Sequence, residues 1–264
     1  MRSTVAKPQR DRRNVRVVAH RGASGYAPEN TMAAFALAVQ MGASAIELDV
    51  HLSRDREIVV LHDPQVDGTT NGTGAVGDLT LAQLRRLDAG SWFNRSHPKK
   101  ARPEYVGEKI PTLQEAIHLV KGTAAGLYIE IKDPELYPDD FEARIVSLIR
   151  RNEIEERVVL LSFCVESIRK ARDLDSSIRT ALLTGSLKTD PVASANAAGA
   201  DELAVRHTLL TAGLLRKARA ERLGITAWTV NTQNEIKRAL TLGVYCVISN
   251  YPDRVLKLLG VGHG

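Results

Sequence analysis

Glu47, Asp49 and His51 occupy every second position of an apolar, branched stretch, and a second such stretch closes on His62 and Asp63. In an extended strand alternate side chains share a face, so two carboxylates and an imidazole would line one side. The whole segment, AIELDVHLSRDREIVVLHD from Ala45 to Asp63, reads as a hairpin. A strand runs into a short polar turn containing Arg54 and Asp55, and Glu57 to Leu61 returns as a second strand that delivers His62 and Asp63. Two oxygen donors and an imidazole in one hairpin suit metal binding or proton transfer. Alternation alone also gives an exposed antiparallel strand one wet face, so the rest of the chain has to decide.

Two further places carry similar chemistry. Val15 to Ala19 is a short β-branched run ending in His20-Arg21-Gly22, and in YIEIK the side chains of Glu130 and Lys132 share a face. Glu47, Asp49 and Glu130, with no clustered cysteine and few candidate histidine ligands, favour one hard divalent cation, Mg²⁺ or Ca²⁺, over zinc. Arg21 and Lys132 beside that cation would make a pocket for an anion, and phosphate suits guanidinium geometry. His20 and His62 add two groups able to exchange protons near neutral pH. Together these describe phosphoester cleavage. The cation and Arg21 would neutralise the phosphoryl oxygens, with His20 as base and His62 as acid. Singly, each residue has a plainer reading: a lone histidine is more often packed or solvated, and Lys132 could simply pair with Glu130. Their joint placement argues against that.

The elements that must position these groups alternate regularly. After the first strand, Glu29-Asn30-Thr31 opens a helix through about Met41, stopped by Gly42, and Ala45 to Val50 follows as a strand. Residues 64–110 interrupt the pattern with glycine-rich turns and are too irregular for a barrel connection, so they read as an insertion over one end of the fold. Trp92 and Phe93 in it are either lid aromatics or staples that hold the insertion down. From Pro111 onward helix and strand alternate again. Strands ending near 20, 50, 131, 163, 183, 205, 230 and 249 make eight without the hairpin's return strand. The expected fold is therefore a (β/α)8 TIM barrel with a small inserted subdomain after the second-strand hairpin. In such barrels chemistry sits at the C-terminal ends of the strands, where His20, Arg21, Glu47, Asp49, Glu130, Lys132, Trp228 and Asn231 all fall.

With 264 residues and 44% hydrophobic content, the chain is in the range of one α/β barrel domain over residues 15–264. No apolar run approaches the roughly 20 residues that span a bilayer, so stable membrane insertion is not expected. The beginning, MRSTVAKPQRDRRNVR, is basic and polar without an apolar core, unlike a secretory signal, and the expected location is cytoplasmic. Residues 1–14 read as a basic disordered tail, with no nucleic-acid partner expected from a net charge of +5. Cys164 and Cys246, each in an apolar run, read as buried free thiols.

HRGASGYAPENT, AIELDVHLSRDREIVVLHD, DAGSWF, YIEIK, ITAWTVN and SNYPD, in that order from Val15 to Leu259, resemble the glycerophosphodiester phosphodiesterase family. The resemblance implies a TIM barrel with an inserted subdomain, a divalent cation, and hydrolysis of small-molecule glycerophosphodiesters to an alcohol and glycerol 3-phosphate. By position, His20 and His62 match the catalytic pair, and Glu47, Asp49 and Glu130 match the metal ligands. Arg21 and Lys132 match phosphate contacts, Glu29 an acid at the metal or glycerol site, and Trp228 an aromatic of the glycerol pocket. Two departures are mild: Ser249-Asn250 where Thr-Asp is frequent, and Arg54-Asp55-Arg56 where Lys-Asp-Gly is usual. A lysophospholipase D-type hydrolase and a catalytically silent barrel binding phosphorylated metabolites are the alternatives. The second of these needs a lost histidine or ligand, and none is missing.

Overall fold

The structure, a computed structural model, describes residues 15–261. The expected tail at residues 1–14 lies outside them. Nine strands form one sheet: β1 Arg16–His20, β2 Ala45–Leu52, β3 Ile58–Val60, β4 Gly126–Ile131, β5 Val158–Ser162, β6 Arg179–Thr184, β7 Glu202–Arg206, β8 Gly224–Trp228 and β9 Cys246–Ser249. All but β3 are parallel neighbours in the order β1-β2-β4-β5-β6-β7-β8-β9, and β9 returns to β1. The sheet is therefore a closed barrel of eight parallel strands. β3 runs antiparallel to β2 and completes the expected hairpin.

Register places the polar residues at one end. His20 aligns with Glu47 across β1 and β2, and Asp49 aligns with Glu130 across β2 and β4. The strand interiors below that level are filled by small and branched side chains, among them Val18, Ala45, Val159, Leu161, Ala181, Ala204 and Ile248. At the opposite, N-terminal end a buried polar group closes the barrel. There Glu202 accepts from Arg179 Nη2 at 2.8 Å, from Thr226 Oγ1 at 2.5 Å and from Tyr128 Oη at 3.2 Å. Chemistry and closure thus occupy opposite ends of the same strands.

The surrounding helices are α1 Met32–Gln40, α4 Leu113–Lys121, α5 Phe141–Arg151, α6 Val165–Leu174, α7 Pro191–Ala198, α8 Ala212–Ala220, α9 Gln233–Leu242 and α10 Pro252–Leu259; α2 Leu81–Leu84 and α3 Ser91–Ser96 lie between β3 and α4. Thr112 with Glu115 and Thr232 with Glu235 form capping boxes that satisfy the first amides of α4 and α9. Apolar faces such as Ile236, Ala239 and Leu240 of α9 pack on the sheet. Each fully buried large side chain of this kind contributes about 1.5–3 kcal/mol. No described helix is long and apolar enough to cross a membrane.

Two local expectations change. The first helix begins at Met32 rather than Glu29, because Asn30 is left-handed with φ 55° and Thr31 is the N-cap, accepting from the Ala34 amide. Cys164 precedes α6 at intermediate exposure, whereas Cys246 is buried as expected. Trp92 and Phe93 behave as staples. Phe93 is 1% exposed and packs with Ala27, Ala34 and Tyr105, while Trp92 Nε1 donates to Ala89 O at 3.0 Å.

Candidate active site

Glu47, Asp49 and Glu130 each offer a carboxylate oxygen within 4.8 Å of the others at the C-terminal end of the barrel. Glu47 and Asp49 are buried, 3% and 1% exposed. Strand alternation in β2 and the register with β4 bring them together, as the sequence pattern requires.

The turn after β1 supplies the first cation. Arg21 and Gly22 are both left-handed, with φ 53° and 81°. A Cβ at Gly22 would stand 2.6 Å from the Ala34 backbone, so only glycine fits. This turn aims the Arg21 amide at Glu47 Oε2, 2.9 Å away, while the guanidinium donates to Glu29 Oε1 at 2.8 Å and its Nε lies 3.3 Å from Asp49 Oδ2. Glu29 therefore stands against Arg21 and outside the three-carboxylate cluster. Lys132 supplies the second cation: its Nζ is 2.9 Å from Glu130 Oε1, 3.8 Å from Asp49 Oδ1 and 3.2 Å from His62 Nε2.

The two histidines flank the cluster with different partners. His20 Nδ1 meets Asn250 Oδ1 at 2.7 Å, and its Nε2 is 4.0 Å from Glu47 Oε2. An amide oxygen only accepts, so the proton sits on Nδ1 and the Nε2 lone pair is left on the cluster side. Burial, reinforced by the Arg21 guanidinium, pushes the His20 imidazole down to about 3. His62 Nδ1 donates instead to Asp63 Oδ1 at 2.6 Å. His51, the third member of the β2 row, is not free for ligation, since Tyr137 Oη and His62 O take its two ring nitrogens. Trp228, at the end of β8, donates from Nε1 to Ala204 O at 3.0 Å and meets Phe163 edge-on at 5.7 Å.

The electrostatics suit a cation. Burial, with Asp49 and Glu130 nearby, raises the Glu47 carboxyl well above its ordinary range, and burial with Asp49 raises Glu130 to about 7. Burial alone would raise Asp49 too, but Arg21, His62, Lys132 and the Asn30 amide outweigh it and hold that carboxyl low. Asp49 Oδ1 is buried without a hydrogen-bond partner, although Asn30 Nδ2 satisfies Oδ2 at 2.8 Å. A buried carboxylate oxygen without a donor is costly, and hard oxygen donors at this spacing match what Mg²⁺ or Ca²⁺ takes. The donor set fits a divalent cation.

Asn30, Asp63 and Asn250 escape the sequence reading as site residues. Asp63 carries a signal in its position next to His62. Asn250 also carries a signal, as the departure from Thr-Asp read above as mild: it is expected to stand clear of the site, yet its side chain meets the His20 ring from 230 residues away. Asn30 carries none on its own, because its partner Asp49 lies 19 residues on.

Eight parallel strands with carboxylates, imidazoles and cations gathered at their C-terminal ends define a TIM-barrel enzyme. The chain belongs to the glycerophosphoryl diester phosphodiesterase family, whose sequence profile matches residues 20–254. It is similar to the glycerophosphodiester phosphodiesterase of Bacillus subtilis (strain 168), 39% identical over 248 residues that cover 89% of this chain and 83% of the relative. A second relative of that name, from Caldanaerobacter subterraneus, is 33% identical over 246 residues, covering 93% of this chain and 98% of its own. Among solved structures, a phosphodiesterase of Oleispira antarctica in complex with the product sn-glycerol-3-phosphate is 29% identical, with a TM-score of 0.85 and coverage of 93% and 96%.

Proposed function

We propose that this chain hydrolyses small-molecule glycerophosphodiesters to an alcohol and glycerol 3-phosphate, using one divalent cation, Mg²⁺ or Ca²⁺, held by Glu47, Asp49 and Glu130. The observation that carries this reading is the pair of differently partnered imidazoles, His20 and His62, on either side of the carboxylate cluster. When bound, the cation supplies positive charge to the non-bridging phosphoryl oxygens.

The residues divide the remaining work. Arg21 and Lys132 bind and orient the phosphoryl group, and Glu29 holds the Arg21 fork in place. His20 takes the proton of the attacking hydroxyl at Nε2, because Asn250 fixes the other nitrogen as donor. His62 gives a proton to the leaving alkoxide, and Asp63 on Nδ1 stabilises the charged ring. As His62 loads its proton, Lys132 turns from Nε2 to the phosphoryl oxygens. Trp228 offers its ring to the glycerol carbons. We read the catalytic domain as one unit from residue 15 onward, with residues 64–110 inserted after the hairpin and stapled over α1.

A second reading has one observation behind it. Phe163, 51% exposed, stands edge-on to Trp228 at the barrel mouth and would suit the single acyl chain of a lysophospholipid. The deciding assay is release of glycerol 3-phosphate from glycerophosphocholine with EDTA, then with Mg²⁺, Ca²⁺ or Mn²⁺ restored. Release that depends on the cation supports the first reading. No release from folded protein, with turnover of a lysophospholipid, supports the second.

A further inference from the structure

His51 is fully buried, at 0% exposure, yet it is the one member of the Glu47-Asp49-His51 row outside the carboxylate cluster. Its Nε2 lies 3.1 Å from the main-chain carbonyl of His62, and its Nδ1 lies 2.6 Å from the Tyr137 hydroxyl. A carbonyl only accepts, so Nε2 carries the proton and the neutral ring receives the Tyr137 proton at Nδ1. The result is a directed chain from Tyr137 O–H through the imidazole to the His62 carbonyl. Tyr137 is itself held edge-on by His51 at 5.8 Å and by Phe141 at 4.9 Å.

The segment that carries His62 has few other main-chain anchors at this point. Leu61 N donates to Asp49 O at 3.1 Å, and beyond it the polypeptide leaves the sheet. Two bonds from β2, one at Leu61 and one at His62, therefore fix where the His62 backbone stands relative to the carboxylates. Tyr137 extends the tie to the connection between β4 and α5, which begins with Lys132. The ring thus joins the backbone of one flanking group to the loop of the other.

We propose that His51 is a positioning residue for His62: its Nε2–H holds the His62 carbonyl, and Tyr137 locks the imidazole in the donating orientation. This rests on the reading of His62 given above. It assigns His51 neither to the cation nor to proton transfer, since both of its nitrogens are occupied. A displacement of about 1 Å in a reacting group costs on the order of 100-fold in rate.

The test compares His51→Leu, His51→Gln and Tyr137→Phe in the full chain. The readouts are kcat and KM on glycerophosphocholine, cation affinity by calorimetry, and hydrogen exchange of the amides at residues 61–63. His51→Leu should lower kcat about 100-fold while KM and cation affinity stay within about threefold, and exchange at Leu61 should rise. His51→Gln, whose side-chain N–H can reach the same carbonyl, should recover kcat to within about tenfold of the parent, on the same positioning scale. Folded His51→Leu protein with parental turnover, or His51→Gln no better than His51→Leu, overturns the proposal. If His51→Leu does not fold, Tyr137→Phe decides: faster exchange at residues 61–63 with a smaller loss of kcat supports the lock, and parental values of both overturn it. If the parent hydrolyses no glycerophosphodiester, the reading of the reaction fails. The exchange comparison still judges the role of His51.

Discussion

Lys132 and His62 meet nitrogen to nitrogen, with Nζ 3.2 Å from Nε2, while the same ammonium lies 2.9 Å from Glu130 Oε1. One positive charge therefore touches both the imidazole on that flank and the carboxylate cluster. Burial disfavours the charged ammonium, but Glu130 and Asp49 outweigh it, so Lys132 stays protonated. Lys132→Met should then have opposite effects on two measurements. Cation affinity by calorimetry should tighten, because a competing positive charge is gone, while turnover falls about 100-fold for want of a phosphoryl contact. Equal weakening of both would place Lys132 in the scaffold instead.

Removing either imidazole should stop the reaction without disturbing the barrel. His20→Asn and His62→Asn are each expected to lower kcat by about 10²–10⁴-fold, the usual share of a general acid or base. Circular dichroism and thermal midpoint should stay near the parent. Loss of the fold along with activity would show that these rings are structural.

The raised Glu130 carboxyl predicts how metal-free protein responds to pH. An acid with a native value of about 7 binds its proton more tightly folded than unfolded. Its contribution to stability is thus present below the unfolded value of roughly 4.3 and is lost as pH rises through about 7. Urea denaturation in EDTA should show the parent losing stability between pH 5 and pH 8 relative to Glu130→Gln. Saturating cation should offset the loss, by about 2.7 kcal/mol at one hundred times its dissociation constant. A parent and variant with parallel pH profiles would remove Glu130 from the account.

Thiol chemistry should separate the two cysteines. Burial, with Glu202 nearby, pushes the Cys246 thiol up to about 12 and leaves it without access to reagent. Native protein should release one equivalent of chromophore from a disulfide reagent, from Cys164, and the Cys164→Ser variant none until it is unfolded. Two fast equivalents in native protein would contradict the packing of β9.

Gly22→Ala tests the turn. A side chain there is strained by φ 81° and would meet Ala34 at 2.6 Å. Destabilisation of about 1–3 kcal/mol is expected, together with loss of turnover as the Arg21 amide leaves Glu47. An active variant of parental stability would mean that the turn relaxes freely.

What the sequence makes legible follows from periodicity. Alternation in β2 and β4 puts Glu47, Asp49, Glu130 and Lys132 on one face, and the strand-then-helix rhythm gives the count of eight. Local pattern does not reveal who holds whom. His51 continues the β2 row, yet Tyr137, 86 residues on, decides how its ring is used. The start of α1 is misread for a related reason. Glu29-Asn30-Thr31 looks like a helix opening, but Asn30 turns left-handed to reach Asp49 and the helix waits for Thr31.

The pairing of β1 with β9 has a temporal side. The proton of the His20 ring is directed by Asn250, a residue 230 positions later in the chain. During synthesis His20 is made long before its hydrogen-bond partner. The carboxylates of β2 and β4 precede β9 in the chain, whereas the His20 ring has no oriented proton until β9 docks and the ring of strands is sealed. The barrel thus carries its own checkpoint: the proton of the His20 ring is set only when the last strand has docked against the first.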